Sequence, residues 1–133
     1  MNQLLLDLHV AAAIVGFVLS GVIAVGVLRR PAVQDLGPGF WRWQRITQWT
    51  TVVLGAAGTA LYLTGHRPKD PLHLLYGALA LLATILLGAF GPGKDPQELM
   101  AGWKVNPRWI LFGLNVFLWA MYGRGLSTGF FGV

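Results

Sequence analysis

Residues 65–77, with the sequence GHRPKDPLHLLYG, form a short polar segment between two long apolar stretches. The segment contains two of the three histidines of the chain, His66 and His73, and its glycine, prolines and charged residues are typical of a turn. Asp70 followed by Pro71 is typical of a helix start, because aspartate is a preferred N-cap and proline fits the first helical turn. The segment therefore predicts a tight connection between two apolar helices, with His73 in the first turn of the second.

The composition of the whole chain indicates a protein in contact with lipid. Of its 133 residues, 55% are hydrophobic and 11% are charged, against roughly 25% charged residues in an average soluble domain. The net charge is +5, but the basic residues lie in short groups between apolar stretches, whereas a nucleic-acid-binding surface needs a contiguous basic patch. We therefore expect an integral protein of a prokaryotic plasma membrane, with the lipid bilayer as a partner and without nucleic acid.

Four apolar segments are long enough to cross a bilayer, which takes about 17–25 helical residues. Turn-forming or basic sequences bound them, such as RRP at residues 29–31 and GPG at residues 91–93. The expected fold is a single all-α integral membrane domain, residues 1–133, built as an up-down-up-down bundle of four transmembrane helices. The predicted helices are residues 4–28, 42–63, 71–90 and 107–122. Residues 95–104 are predicted to form a short interfacial segment, and residues 123–133, which include four glycines, an irregular tail.

The distribution of lysine and arginine predicts the orientation of the bundle. One side collects seven basic residues, Arg29, Arg30, Arg42, Arg45, Lys94, Lys104 and Arg108. The other side has three, Arg67, Lys69 and Arg124. Because cytoplasmic loops are enriched in lysine and arginine, the side with seven is predicted to be cytoplasmic. Both termini and residues 65–77 then lie on the extracytoplasmic side.

A weak internal repeat predicts two helical hairpins related by an approximate twofold axis, as in other membrane proteins with parallel repeats. The sequence DLH at residues 7–9 opens the first helix, and DPLH at residues 70–73 opens the third, so that the two histidines are 64 residues apart. The pattern Tyr-x-x-Gly-x-Arg at residues 62–67 is loosely repeated as Tyr-Gly-Arg at residues 122–124.

Small and weakly polar residues at helical spacing predict which face of each helix turns inward, since membrane helices pack through such residues. In the first helix this face carries His9 and Gly16, and in the third it carries His73 and Gly77. Helix packing alone explains most such glycines, but ionisable residues inside a membrane usually face the bundle interior and mark a function. Because the first and third helices run in the same direction, His9 and His73 are predicted to lie near the same outer face, with His66 close by.

Two neutral imidazoles on facing helices can supply both axial ligands of a haem iron, and the core of a helix bundle is a usual place for such a site. The absence of cysteine excludes covalently attached c-type haem, iron–sulfur clusters and zinc–thiolate sites. The candidate iron ligands are His9 and His73. The other candidate site residues would border the macrocycle or pair with its propionates: Gly16, Gly77, Arg67, Lys69 and Arg124.

With these features the chain resembles the small membrane b-type cytochromes, whose four-helix cores hold haem between histidines of transmembrane helices. The resemblance covers the number of helices and the Leu-His sequences at residues 8–9 and 72–73. It implies a haem b cofactor and a role in electron transfer, often to or from quinone. We therefore expect an electron-transfer or accessory protein rather than a stand-alone enzyme.

Three alternatives remain open at this point. His9, His66 and His73 together are a possible site for zinc or copper, which imidazole suits. A non-catalytic accessory subunit would fit the six tryptophans, the segment 95–104 and the glycine-rich tail, all of which suit docking in a homodimer or a larger membrane complex. A small transporter with the histidines as a proton-linked gate is the third alternative.

Overall fold

The computed structural model describes residues 2–92, 94 and 105–130, and these form four α-helices. Helix α1 spans Asn2–Leu28, α2 spans Pro38–Leu63, α3 spans Leu72–Leu87 and α4 spans Pro107–Phe130. A single 3-10 turn, Val33–Asp35, lies between α1 and α2. No β-strand occurs in the residues that the structure describes, so the all-α class is confirmed.

The helix starts follow the expected signals, with one shift. Helix α2 begins at Pro38, four residues before the predicted start, because Gly37 is its N-cap and a proline fits the first helical turn. The side chain of Asp70 accepts a hydrogen bond from the Leu72 backbone N–H at 2.9 Å, just before α3. The side chain of Asn106 accepts one from the Arg108 N–H at 3.0 Å, at the start of α4. Both are Asx turns, which give the free N–H groups of a first helical turn a partner.

Helix α3 ends earlier than predicted, at Leu87 rather than at residue 90. The backbone N–H of Gly88 bonds to the carbonyl of Ile85, three residues back, and the next two residues make the same kind of bond. Such tightened turns are common where an α-helix ends. Gly91 then takes a φ of +158°, and Pro92 follows it.

Helix α4 differs most from the prediction, because residues 123–130 continue it where an irregular tail was expected. The three glycines of this extension, Gly123, Gly125 and Gly129, weaken its intrinsic preference for helix. Two of them nevertheless pack closely against other helices. A Cβ at Gly123 would lie 3.2 Å from the ring of Phe17, and one at Gly129 would lie 3.4 Å from the ring of His73. Close packing of this kind stabilises a helix beyond its propensity. The predicted interfacial segment, residues 95–104, lies outside the described residues.

The packing of the helices is uneven. Helix α1 packs against both α2 and α4, and α3 packs mainly against α4, whereas α2 and α3 touch much less. The start of α3 contacts the end of α4 through His73 and Thr128, and the end of α1 contacts the start of α4 through Arg108. These contacts show that the neighbouring helices run in opposite directions.

Two arginines close the helix ends at the side opposite the histidines. Arg108, in the first turn of α4, donates to the carbonyls of Val27 and Leu28 at the end of α1, at 3.3 and 2.8 Å. Arg45, in the second turn of α2, donates to the Phe90 carbonyl just beyond α3, at 2.6 Å. Each arginine thus satisfies terminal carbonyls of a helix from the other hairpin, a favourable place for a cation.

The interior of the bundle holds polar side chains that bond to one another. The amides of Gln44 and Asn115 exchange two hydrogen bonds, at 3.3 and 3.0 Å, and both side chains are fully buried. The hydroxyls of Thr51 and Tyr122 are 2.6 Å apart, also in the interior. Both pairs join α2 to α4, so they fix the position of these two helices relative to each other.

One described helix segment, Gln3–Leu28, is long and apolar enough to cross a membrane, judged by length and composition. A second apolar helix, Leu72–Leu87, is shorter than that criterion requires. By length and composition, the residues that the structure describes therefore support one of the four predicted transmembrane helices.

The reciprocal amide pair predicts a specific loss of stability. In Asn115→Leu, the buried Gln44 amide loses its partner, and an unsatisfied buried group costs about 1–3 kcal/mol. We expect a destabilisation of that size in a thermal or denaturant unfolding experiment on the detergent-solubilised protein. The double variant with Gln44→Leu should recover much of the loss, because both polar groups are then absent. Phe117→Leu, on the same helix and partly exposed, is the control. Equal losses in the single and double variants would contradict the paired geometry.

Candidate functional site

His9 lies two turns into α1 and its ring packs against α2. Its Nδ1 is 3.0 Å from the backbone carbonyl oxygen of Leu54. A Cβ at Gly58 would be only 2.8 Å from Cε1 of the ring, so the imidazole rests directly on the backbone of α2. A carbonyl oxygen can only accept, so Nδ1 donates. The neutral ring therefore carries its proton on Nδ1 and a lone pair on Nε2.

His73, the second residue of α3, is held in the same way by α4. Its Nδ1 is 3.0 Å from Oγ1 of Thr128. The Thr128 hydroxyl donates its single proton to the backbone carbonyl of Arg124, at 2.8 Å, so it must accept from the ring. The backbone of Gly129 lies beside Cε1 of this imidazole. The neutral His73 ring is therefore also protonated on Nδ1, with the lone pair on Nε2.

The two imidazoles lie close to each other. Their ring centroids are 6.0 Å apart and their planes are inclined by 59°. With metal–nitrogen bonds of about 2 Å each, one metal between two imidazoles separates their centroids by about 6 Å. The separation of the His9 and His73 rings is therefore of the size that two imidazoles bound to one metal would have.

The interior face of α3 is open one turn below His73. Ala80 and Thr84, further along this face, are buried, with exposed fractions of 3% and 6%. Gly77 lies between them and His73, yet it is exposed, and no atom lies within 4 Å of the position of a Cβ. The backbone of α3 at Gly77 is therefore not covered by a neighbouring side chain.

Gly16, the matching candidate on α1, has a different environment. A Cβ at Gly16 would lie 2.1 Å from Cζ of Tyr122. The space over this glycine is therefore filled by the tyrosine ring, and the structure gives Gly16 a role in the packing of α1 against α4. It does not lie open to a ligand as Gly77 does.

The basic residues predicted to pair with the propionates, Arg67, Lys69 and Arg124, lie at the same end of the bundle as the histidines. The guanidinium of Arg67 is 3.7 Å from the ring centroid of Tyr62, at the end of α2, and Lys69 is exposed in the same connection. Arg124 lies over Tyr76 of α3, at 5.3 Å from the ring centroid, with Nη2 3.4 Å from the phenol oxygen. Both guanidinium groups therefore sit on tyrosine rings near the surface.

His66 does not join the other two histidines in a metal site. It is exposed in the connection between α2 and α3. In the part of the chain that the structure describes, no group of three histidine, cysteine, aspartate or glutamate side chains could hold a metal ion. The predicted three-histidine site for zinc or copper is therefore not formed among these residues.

Three pairs of residues, each with one member in α2 and one in α4, share the same separation of 71 residues along the chain. Gln44 and Asn115 are 71 residues apart, as are Thr51 and Tyr122. Residues 58 and 129, the glycines on which the two imidazoles rest, have the same separation. At this spacing Tyr122 pairs with Thr51 of α2, whereas the sequence pattern aligned it with Tyr62. The twofold relation of the two hairpins stays a prediction.

Sequence reasoning missed the residues that hold the two imidazoles: Leu54, Gly58, Thr128 and Gly129. Two of them lie in residues 123–133, where the glycines indicated an irregular tail. The spacing of Gly125 and Gly129 along one helical face, together with Thr128, was the available signal. The carbonyl of Leu54 leaves no signal in the sequence, because any residue has a backbone carbonyl.

No protein-family model, curated protein or solved structure matches this chain.

The hydrogen bonds of the site predict the tautomers of the histidines. At a pH well above about 6.5, the ordinary histidine pKa, we expect His9 and His73 to carry their protons on Nδ1. Nitrogen-15 NMR of the imidazole rings in the metal-free protein measures this directly. His66, which is exposed, is the internal reference and should show the ordinary preference for Nε2–H. An Nε2–H tautomer at His9 or His73 would contradict the site described above.

Proposed function

We propose that this chain is an integral membrane protein that binds haem b between His9 and His73 and transfers electrons. The observation that carries the proposal is the histidine pair, with ring centroids 6.0 Å apart and Nδ1 of both rings engaged in hydrogen bonds. Histidines that bind metals usually donate their second ring N–H to a carbonyl or another acceptor, which fixes the tautomer and the orientation of the ring. Leu54 and Thr128 supply those acceptors here.

The number of ligands favours haem over a bare metal ion. Structural zinc takes four protein ligands and catalytic zinc usually three, whereas the described residues offer a pair of histidines and no third ligand nearby. Haem iron needs only axial ligands from the protein, because the porphyrin supplies the other four nitrogens. A site of two facing imidazoles is therefore complete for haem and incomplete for zinc or copper.

The same pair favours electron transfer over binding or activation of oxygen. When bound, haem supplies a one-electron couple between ferric and ferrous iron. His9 and His73 would occupy both axial positions, which leaves none for a diatomic ligand or a substrate. The hydrogen bonds from Nδ1 to α2 and α4 hold both rings in place, so little reorganisation is needed when the charge changes.

The distribution of polar and apolar side chains supports a location in a membrane. Gln44 and Asn115 are completely buried, whereas Leu4, Leu63 and Ile85 are 71%, 79% and 72% exposed. Large apolar side chains that face outward along whole helices are unusual for a soluble monomer, and polar groups inside are typical of membrane bundles. In the proposed orientation, four helices cross the bilayer and the histidine pair lies near the extracytoplasmic face, because most basic residues lie at the opposite end.

Absorption spectra test the proposal. The protein purified in detergent from cells that make haem should show a Soret band and, on reduction, the split α and β bands of a six-coordinate b-type haem. His9→Ala and His73→Ala should each lose these bands. His66→Ala is the matched control and should keep them, since His66 is exposed and outside the pair. A colourless wild-type protein that also takes up no added haemin would refute the proposal.

The hydrogen bond from His73 to Thr128 predicts a weaker effect. Thr128→Val keeps the shape of the side chain but removes the hydroxyl that accepts from Nδ1–H. Loss of such an outer hydrogen bond typically lowers metal affinity by about 10- to 100-fold. We expect haemin titration of the apoprotein to show a loss of that order, while Thr59→Val, at an exposed threonine of α2, leaves the affinity unchanged. Unchanged affinity in Thr128→Val would remove Thr128 from the site.

A further inference from the structure

Helices α2 and α3 are in contact at two levels along their length. Gln48 of α2 donates to the carbonyl of Thr84 at 3.2 Å. A Cβ at Gly55 would lie 3.2 Å from the side chain of Leu81. Nearer to the histidines, Gly77 of α3 has no atom within 4 Å of its Cβ position. The two helices are therefore in contact at Gly55 and Leu81, whereas Gly77, one turn closer to His73, is not covered by a neighbouring side chain.

The equivalent interface, between α1 and α4, is filled by side chains. Ala13, 64 residues before Gly77 as His9 is before His73, is buried with an exposed fraction of 8%. The ring of Tyr122 fills the space over Gly16, and the rings of Phe17 and Trp119 stack beside it with centroids 5.3 Å apart. The approximate symmetry of the two hairpins is thus broken at this seam. Gly77, on the side of α2 and α3, has no such cover.

We propose that the haem enters from the lipid through this lateral opening, defined by Gly55, Gly77, Leu81 and residues 64–71, and that one edge of the macrocycle remains there in the bound state. The inference rests on the proposed haem site and adds its route and orientation. Gly77 is the position that keeps the opening clear.

The chemistry of the opening suits an amphipathic planar ligand. The end of the opening at which α2 and α3 are in contact is apolar, because Leu81 lies there. Its other end is spanned by the connection between α2 and α3, which carries Arg67 and Lys69, both exposed. Arg67 and Lys69 would therefore pair with the propionates of a bound haem, since cations pair well with carboxylates, and Leu81 would contact its apolar part.

The absence of cysteine in the chain allows the opening to be blocked after folding. Gly77→Cys introduces a single thiol in the opening. Gly113→Cys is the matched control, because Gly113 is also an exposed helical glycine with no atom within 4 Å of its Cβ position. Each folded apoprotein is labelled with a pyrene maleimide and then titrated with haemin, and in a second arm haemin is added before the label.

We expect the label at Gly77→Cys to weaken haemin binding by at least about tenfold, and bound haemin to slow labelling there by a similar factor. The label at Gly113→Cys should change neither quantity. Full haemin binding by the labelled Gly77→Cys protein, without protection by haemin, would overturn the lateral route while the haem site stands. If the unlabelled wild-type protein binds no haemin, the haem site itself fails, and the route fails with it.

Discussion

Hydrogen bonds between polar side chains of different helices are the constraint on which the rest of this structure depends. A buried amide or hydroxyl without a partner is costly, so the pair Gln44–Asn115 and the pair Thr51–Tyr122 must meet. A rotation of either helix by one residue, about 100°, would separate both pairs. They therefore fix the register of α2 against α4. Gly58 and Gly129, on which the two imidazoles rest, lie further along the same two helices.

The equivalence of the two hairpins explains why the histidines form a pair. In each hairpin the first helix carries the histidine and the second helix provides the glycine and the hydrogen-bond acceptor. His9 and His73 then meet, as the two side-chain pairs at 71-residue spacing do. The departure from symmetry is equally informative. Aromatic rings fill the seam between α1 and α4, whereas the seam between α2 and α3 stays open at Gly77.

The sequence predicted the features that depend on local pattern. Four apolar segments with capping residues at their ends gave the number of helices, and the shared direction of the first and third helices led to the pairing of His9 with His73. The extension of α4 to residue 130 could not be predicted, because it depends on contacts of Gly123 and Gly129 with other helices that outweigh poor propensity. Gly16 and Gly77 looked alike in sequence. Only the packing distinguishes a glycine under a tyrosine ring from one beside an opening.

The coordination of iron by both histidines is the central claim, and electron paramagnetic resonance of the ferric protein tests it most directly. The account predicts a low-spin signal from iron with two imidazole ligands in the wild-type protein. It also predicts that His9→Ala or His73→Ala, supplied with haemin, gives a high-spin signal or no haem at all. A high-spin signal from the wild-type protein, or a low-spin signal that survives the loss of either histidine, would contradict the account.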